Sequence, residues 1–147
     1  MNTPNIETVV LAAYPISLIA GIAFFACAFA AMPRRESVDY DRLLRAVAQV
    51  ESDNGKTSRN VYQLTPVWVA DINRITDCEY TLAELVEDRG LAESLIIRYW
   101  KYYGARYEAR EGVQADYEVL SRIHNGGPNG MDKSATLPYW NKVKKYL

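Results

Sequence analysis

The chain has 147 residues, of which 24% are charged and 12% are aromatic, a composition that fits one folded domain and excludes a disordered chain. Its 17 basic and 18 acidic residues nearly cancel, so no overall basic field points to a nucleic-acid partner. The two cysteines, Cys27 and Cys78, form neither a disulfide framework nor a CxxC motif, and we expect no metal and no cofactor.

The N-terminal part of the chain predicts a membrane anchor. After a tail of residues 1–7, residues 8–32 carry no charged side chain, and about 20 apolar helical residues are enough to cross a bilayer. The tail contains Glu7 and no Lys or Arg, whereas a secretory signal begins with a basic stretch. We therefore expect one transmembrane helix over residues 8–32, followed by a linker over 33–38.

Two features of this apolar segment bear on its place in a membrane. Ser17 and Gly21 have the small-xxx-small spacing that supports association between helices in a bilayer. Arg34 and Arg35 follow the segment, and by the positive-inside rule they place the rest of the chain in the cytoplasm. We therefore expect a single-pass membrane protein.

The first helix after the linker is expected from Asp39 to Glu51, with Ser37 or Asp39 as its cap. A stripe with the i, i+3, i+4, i+7 spacing of a buried face is formed by Tyr40, Leu43, Leu44, Val47 and Glu51. Burial disfavours a charged carboxylate, so we expect a raised pKa for Glu51, which suits a general acid. The alternative is a glutamate that ends the helix and turns outward.

The segment after Glu51 interrupts the helical pattern, because residues 52–55 read Ser-Asp-Asn-Gly and favour a turn. Thr65 and Pro66 are a typical N-cap and first helical residue, so a second helix is expected to begin at Pro66. Between these elements, residues 60–65 are able to form half of a small hairpin.

Thr81 and Glu84 have the spacing of a capping box, which predicts a short helix that Gly90 ends or interrupts. The longest helix is expected from about Leu91 to Tyr103, and Gly104 is expected to end it. Its inward face is predicted to carry Leu95, Ile96, Tyr99, Tyr102 and Tyr103.

Two further helices are expected, over about Asp116–His124 and Pro138–Leu147. The first runs into residues 125–127, Asn-Gly-Gly, where two glycines allow the backbone to approach a ligand closely or to adopt a positive φ. A plain surface turn would use the same residues. The sequence therefore predicts a mainly helical domain over residues 39–147, with at most a small β-hairpin.

Four stretches of the chain occur in a characteristic order, namely AVAQVES, VYQLTP, RIHNGGPNG and ATLPYWNKVKKYL. With them, the chain from Leu43 to Leu147 resembles the lysozyme-like lytic transglycosylase superfamily, particularly the small lysozyme-like proteins of bacterial viruses. The resemblance implies a lysozyme-like helical fold of the transglycosylase or goose type. It also implies cleavage of the β-1,4 bond between N-acetylmuramic acid and N-acetylglucosamine in peptidoglycan.

The resemblance also implies roles for individual residues. The glutamate of the family's Glu-Ser pair is the catalytic acid and base, and it corresponds to Glu51. The sugar cleft is implied to be formed by Ser52, Gln63, Asn125, Gly126, Gly127 and Tyr139, with Tyr62 as a stacking neighbour. Asn60 and Val61 stand where the family has small residues and glycine, a departure that affects the floor of the cleft.

The reaction type is open from the residues alone. Hydrolysis of a glycosidic bond requires a second carboxylate. Neither Asp53 nor Asp71 is marked by a sequence pattern as Glu51 is by its place on a predicted apolar stripe. In a transglycosylase the 6-hydroxyl of muramic acid attacks instead and gains from proximity, so we favour a 1,6-anhydromuramyl product over hydrolysis by a muramidase. His124, the one histidine, is interpreted as a polar residue at a helix end rather than as a catalytic base.

The resemblance and the charges that flank residues 8–32 suggest where the enzyme acts. A viral internal membrane drawn from the host keeps its cytoplasmic face outward, so the domain would reach the cell wall during genome entry. The alternatives are a wall-remodelling enzyme of the bacterial inner membrane and a virion membrane protein that binds glycan without cutting it. The expected partners are a peptidoglycan strand and, through residues 8–32, a lipid bilayer.

Overall fold

The computed structural model describes residues 37–147, so the predicted tail, the predicted transmembrane segment 8–32 and most of the predicted linker lie outside the described residues. The described part is mainly helical, as predicted, and contains no strand. Residues 60–65 form turns rather than half of a hairpin, because Gln63 adopts a φ of 49°, which a strand does not allow.

Six α-helices and three short 3-10 turns make up this domain. The helices are α1 (Tyr40–Ser52), α2 (Pro66–Thr76), α3 (Leu82–Glu87), α4 (Arg89–Glu111), α5 (Tyr117–Gly126) and α6 (Leu137–Val143). The 3-10 turns are Gly130–Asp132, Ser134–Thr136 and Lys144–Tyr146. The predicted last helix is thus divided between α6 and the final 3-10 turn.

Three helices begin where the sequence predicted, because a side chain caps each of them. Asp39 and Thr65 each accept a hydrogen bond from the backbone N–H three residues further on, and Pro66 occupies the first position of α2. Thr81 and Glu84 complete a capping box at the start of α3. Each cap satisfies N–H groups that have no partner within the helix.

Helix α4 is longer than predicted at both ends. Asp88 caps it, so Gly90 lies inside the first turn, and Gly112 ends it with a φ of 70°. Gly104 lies within the helix and does not end it. A Cβ at Gly104 would lie 3.3 Å from the Leu120 side chain, so this glycine allows α4 and α5 to pack closely.

The inward face of α4 was predicted correctly except at Tyr102. Leu95, Ile96, Tyr99 and Tyr103 are buried, whereas Tyr102 is 36% exposed. Tyr103 lies near the middle of this buried face, and Tyr102 is turned about 100° away from it, at the edge of the face.

Helix α4 provides the centre of the packing. It contacts α2, α3 and α5, while α1 packs against α5, α6 and the last 3-10 turn. Trp100 of α4 and Leu43 of α1 are completely buried in the common core. This arrangement brings the C-terminal ends of α1 and α5 toward the start of α2.

The membrane localisation expected above is corrected by the structure. Among residues 37–147, no helix combines the length and the apolar character needed to cross a membrane. The longest helix, α4, carries charged side chains along its whole length. The expectation of a single-pass protein in a virion or host inner membrane was therefore wrong on this finding, and segment 8–32 lies outside the described residues.

Candidate functional site

A cleft with a volume of about 790 Å³ runs across the domain. Its walls are the end of α1, the loop at residues 62–65, helix α2, Tyr99 of α4 and the residues from His124 to Pro128. The cleft therefore collects segments that are far apart in the sequence. Six of the predicted site residues line it, namely Glu51, Tyr62, Gln63, Asn125, Gly126 and Gly127.

Glu51 lies in the last turn of α1, in the wall of the cleft. Its side chain is 17% exposed, and this burial raises the pKa of its carboxyl. The neighbouring Tyr139 hydroxyl and the positive charge of Lys142 lower the pKa by smaller amounts. The raised pKa makes Glu51 a group that can hold a proton near a ligand, and its side chain does not turn outward.

His124 is the neighbour of Glu51 that sequence reasoning missed. Its side chain is 3% exposed and its Nε2 lies 3.9 Å from Oε1 of Glu51. Burial lowers the pKa of the ring to about 4, so the imidazole is neutral at pH 7 and the two groups form no ion pair. The available signal was the position of His124 four residues after Leu120, on the buried face of α5.

The neutral His124 ring contacts both the loop at Tyr62 and helix α4. Its Nε2 lies 3.2 Å from the backbone carbonyl oxygen of Tyr62, and since a carbonyl only accepts, Nε2 carries the proton and donates. The ring also packs edge-on against Trp100, with centroids 5.8 Å apart. His124 thereby connects α5 to the loop that forms the opposite wall.

Tyr139 lies beside Glu51 although it does not line the open cleft. Its ring stacks on His124 with a centroid distance of 6.5 Å, and its hydroxyl is close enough to influence the pKa of Glu51. Within residues 37–147 this buried hydroxyl has no hydrogen bond of regular geometry. It is therefore available to either carboxyl oxygen of Glu51 or to a bound ligand.

Ser52 has a different position from that implied by the resemblance. It is 1% exposed, and its hydroxyl donates to the Val61 carbonyl and accepts from the Gly55 N–H, both at 2.8 Å. The structure does not bring Ser52 into the cleft. Its contacts instead hold the two ends of the loop between α1 and Gln63.

The loop that carries Gln63 is shaped by Asn60, one of the residues that depart from the family pattern. The Asn60 amide donates to the Leu64 carbonyl at 2.8 Å and its oxygen accepts from the Leu64 N–H at 2.9 Å. The Gln63 side chain donates to the Asn60 carbonyl at 3.1 Å. These bonds fix a tight turn in which Gln63 is exposed with a left-handed backbone.

Tyr62 anchors this loop on α4. Its ring is 2% exposed, its hydroxyl donates to Glu93 at 2.5 Å, and the Arg89 guanidinium lies over the ring, 5.8 Å from the centroid. Burial, followed by the contact with Glu93, raises the pKa of Tyr62. Tyr62 therefore contacts protein on its ring and hydroxyl, and it contributes less open surface than a stacking platform would.

The last turn of α5 and the following Gly127 form another part of the cleft wall. Asn125 is exposed, and Gly127 has a φ of 75°, which glycine adopts readily. A Cβ at Gly126 would lie 2.6 Å from the Thr136 side chain. The two glycines are thus required by backbone conformation and by packing.

Asp71, in the wall formed by α2, is the second carboxylate of the cleft among the described residues. Its two oxygens accept hydrogen bonds from Arg74 and from the Tyr103 hydroxyl, each at 2.6 Å. Partial burial opposes ionisation, but these hydrogen bonds together outweigh it and lower the pKa of Asp71. Asp53 lies outside the cleft and pairs with Gln49 and Lys56.

Residues 37–147 contain no group of three or more His, Cys, Asp or Glu side chains that could hold a metal ion. The cleft brings together a carboxyl with a raised pKa, a neutral imidazole, phenols and an ionised carboxylate held by an arginine.

Sequence comparison finds lysozymes. The chain is 32% identical over 97 residues to invertebrate-type lysozyme 3 of Caenorhabditis elegans, a match that covers 63% of this chain and 68% of that protein. It is 42% identical over 48 residues to a lysozyme of Ostrea edulis, covering 33% of this chain and 35% of that protein. No family model and no solved structure matches the chain.

The chain spans about a third or less of the length of the first curated relatives that it matches. These relatives confirm the lysozyme-like part of the resemblance. They come from animals such as Ostrea edulis and Caenorhabditis elegans and do not support the narrower resemblance to proteins of bacterial viruses, nor the expected role in viral genome entry.

Proposed function

Because the chain belongs to the invertebrate-type lysozymes, we propose that it is a glycosidase that cuts the glycan strands of peptidoglycan between N-acetylmuramic acid and N-acetylglucosamine. The observation that carries this proposal is Glu51, whose burial in the cleft wall raises the pKa of its carboxyl. A carboxylic acid that keeps its proton near neutral pH can protonate the oxygen of a leaving sugar.

In the first step, Glu51 donates its proton to the glycosidic oxygen and the bond to the muramic acid C1 breaks, leaving positive charge on that sugar. The Glu51 carboxylate then removes a proton from the group that attacks C1. The Tyr139 hydroxyl, which has no regular hydrogen bond within residues 37–147, donates to this carboxylate and holds its orientation. One carboxyl thus serves as acid and then as base.

The exposed side chains of Gln63 and Asn125 both line the cleft, and we assign them to binding the sugar chain. Amides donate and accept hydrogen bonds, which suits the hydroxyl and N-acetyl groups of the glycan. Gly126 and Gly127 let the strand approach the backbone. The buried Ser52 hydroxyl contacts the loop, and we assign it to holding that loop rather than to the sugar.

Hydrolysis is the first candidate for the second step, because the relatives bear the name lysozyme. A hydrolase uses a second carboxylate, as a nucleophile or as a base for water. Asp71 is available for this task among the described cleft residues, and hydrogen bonds from Tyr103 and Arg74 keep it ionised.

Transglycosylation is the second candidate, and the engagement of Asp71 favours it. Both carboxylate oxygens of Asp71 already accept a hydrogen bond, which weakens Asp71 as a nucleophile or base. The 6-hydroxyl of the muramic acid then attacks C1 of the same sugar, and Glu51 takes its proton. The product ends in a 1,6-anhydro sugar rather than a reducing end.

The test is digestion of purified peptidoglycan by the full-length chain, with products weighed by mass spectrometry. Glu51→Gln is expected to remove activity by about a hundredfold or more, whereas the same change at the exposed Glu79 is expected to leave it intact. Reducing ends identify a hydrolase and anhydro ends a transglycosylase. Absence of cleavage by the folded chain would contradict the proposal and favour a protein that only binds glycan.

A further inference from the structure

On the α2 side of the cleft, two guanidinium groups are arranged around two tyrosines. Arg74 donates to the Tyr103 hydroxyl at 3.0 Å. Arg106, from α4, lies over the rings of Tyr102 and Tyr103, 5.9 and 5.8 Å from their centroids. We refer to Arg74, Arg106, Tyr102 and Tyr103 as the basic cluster.

The basic cluster contains two guanidinium groups, and a neighbouring carboxylate pairs with one of them. Arg74 pairs with Asp71, but among residues 37–147 no carboxylate lies within 4.0 Å of the Arg106 guanidinium. The neighbouring guanidinium groups of Arg74 and then Arg106 lower the pKa of the exposed Tyr102, which agrees with a positive local potential. One guanidinium is thus left to bind an anion.

The basic cluster lies where the cleft meets a neighbouring pocket. Arg74 lines the cleft, while Arg106 and Tyr103 line a second pocket of about 240 Å³. Pro128 lines both cavities, and the hydrogen bond between Tyr103 and Asp71 crosses between them. A group that branches from a ligand in the cleft can therefore reach Arg106.

Arg106 is also held in place before any ligand arrives. Contact with two aromatic faces restricts a guanidinium and leaves its N–H edge free, so less freedom is lost on binding. A planar guanidinium forms paired hydrogen bonds with a carboxylate. The sugar rings of the glycan are uncharged, so a free arginine beside the cleft has a role if the strand carries acidic branches.

We propose that the basic cluster binds a carboxylate of the peptide stem attached to N-acetylmuramic acid, so that the cleft prefers glycan that carries stems. This inference rests on the proposed function, because it takes the ligand of the cleft to be peptidoglycan. Arg106 makes the contact with the carboxylate, and Arg74 orients it from the cleft side.

The test measures binding of labelled glycan chains by fluorescence anisotropy, with the stems present or removed by an amidase. Because amidase cleavage leaves a carboxylate on each muramic acid, this carboxylate is converted to a methylamide in the stem-free chains. The full-length Glu51→Gln chain is used so that bound glycan is not cut. We expect a lower Kd for chains with stems. Arg106→Gln is expected to reduce this preference by about three- to fivefold, and Arg106→Lys is expected to reduce it less.

Arg98→Gln is the matched control, since Arg98 is exposed on the same helix and lines neither cavity. Equal Kd values for the two glycans, or a preference that survives Arg106→Gln, would overturn the inference. Cleavage is measured separately with the unsubstituted chain. If the chain cleaves glycan but shows no preference for stems, only the binding role of the basic cluster is refuted. If it prefers stems but does not cleave, only the proposed glycosidase activity is refuted.

Discussion

Burial is the largest cause of the pKa shifts of both Glu51 and His124. Both side chains lie in a region shielded from water, which favours the neutral form of each. The carboxyl therefore keeps its proton to a higher pH, and the imidazole stays unprotonated to a pH of about 4. At the residue scale, the site thus places a carboxyl with a raised pKa and a neutral imidazole with their oxygen and nitrogen 3.9 Å apart.

The depressed pKa of His124 predicts a loss of stability in acid. Between its ordinary pKa of 6.5 and its value of about 4 in the fold, the unfolded chain binds the proton and the folded chain does not. The contribution of the neutral His124 ring to the free energy of unfolding is therefore complete above about pH 6.5. As the pH falls to 4, the folded protein loses about 3 kcal/mol of this free energy. Urea unfolding at several pH values measures it.

The variant for this measurement is His124→Gln, whose amide can still donate to the Tyr62 carbonyl. The difference in unfolding free energy between the two proteins should shrink as the pH is lowered from 7 to 4. A difference that does not depend on pH would show that the buried ring does not titrate as predicted.

Lys142 is predicted to tune the pH dependence of cleavage. Its positive charge lowers the pKa of Glu51, and activity requires the protonated acid, so activity falls as the pH rises through that pKa. Lys142→Met should raise the pKa and move the alkaline limb of the kcat/KM profile to higher pH. Lys145→Met, at a nearby exposed position, serves as the control and should leave the limb unmoved.

At the scale of elements, the turn between α5 and α6 is built around a buried arginine. The Arg122 guanidinium donates to the Thr136 hydroxyl at 2.9 Å and to the Lys133 carbonyl at 3.1 Å, and it pairs with Glu118. These contacts fold the segment after Gly127 back against α5. They hold the wall of the cleft that carries Asn125.

Gly130 is the position of this turn that tolerates no side chain. A Cβ there would lie 1.9 Å from the Arg122 backbone carbonyl oxygen, so Gly130→Ala must open the turn and should lower the unfolding free energy by about 3 kcal/mol or more. Gly90→Ala, in the first turn of α4, meets its nearest atom at 3.5 Å and should cost little. Urea titration of both variants compares them, and equal stabilities would contradict this packing.

At the scale of the whole molecule, Tyr62 links three parts of the chain. Its hydroxyl donates to Glu93 of α4, its carbonyl accepts from His124 of α5, and its own loop continues from α1. The distance between the walls of the cleft therefore depends on contacts between residues 31 and 62 positions apart in the sequence.

Tyr62→Phe removes only the hydrogen bond to Glu93 of α4 and is predicted to loosen the cleft. We expect a loss of about 1–2 kcal/mol in unfolding free energy, faster amide exchange over residues 60–64 and a higher KM for glycan. Tyr117→Phe removes a hydroxyl that accepts from the Asp39 N–H, away from the cleft. It should leave KM unchanged, and a similar rise in KM for both variants would contradict the role given to Tyr62.

The sequence was sufficient for the start of α1, α2 and α3 and for the placement of Glu51 on a buried face. It was insufficient for the end of α4, because Gly104 is a helix-ending residue by local rules and a packing residue beside Leu120 in the fold. The sequence also did not reveal that the Asn60 side chain forms hydrogen bonds with both the backbone N–H and the carbonyl of Leu64, although these residues are near in sequence.

The sequence by itself determined the features of this protein that depend on residues within one or two helical turns of each other. These features are the helix caps, the apolar stripes and the position of a glutamate on one of those stripes. Only the tertiary structure decided that His124 lies against Glu51, that Ser52 faces the loop and that Arg106 adjoins the cleft. Burial and long-range hydrogen bonds are set by segments far apart in the chain, and local patterns carry no record of which segments meet.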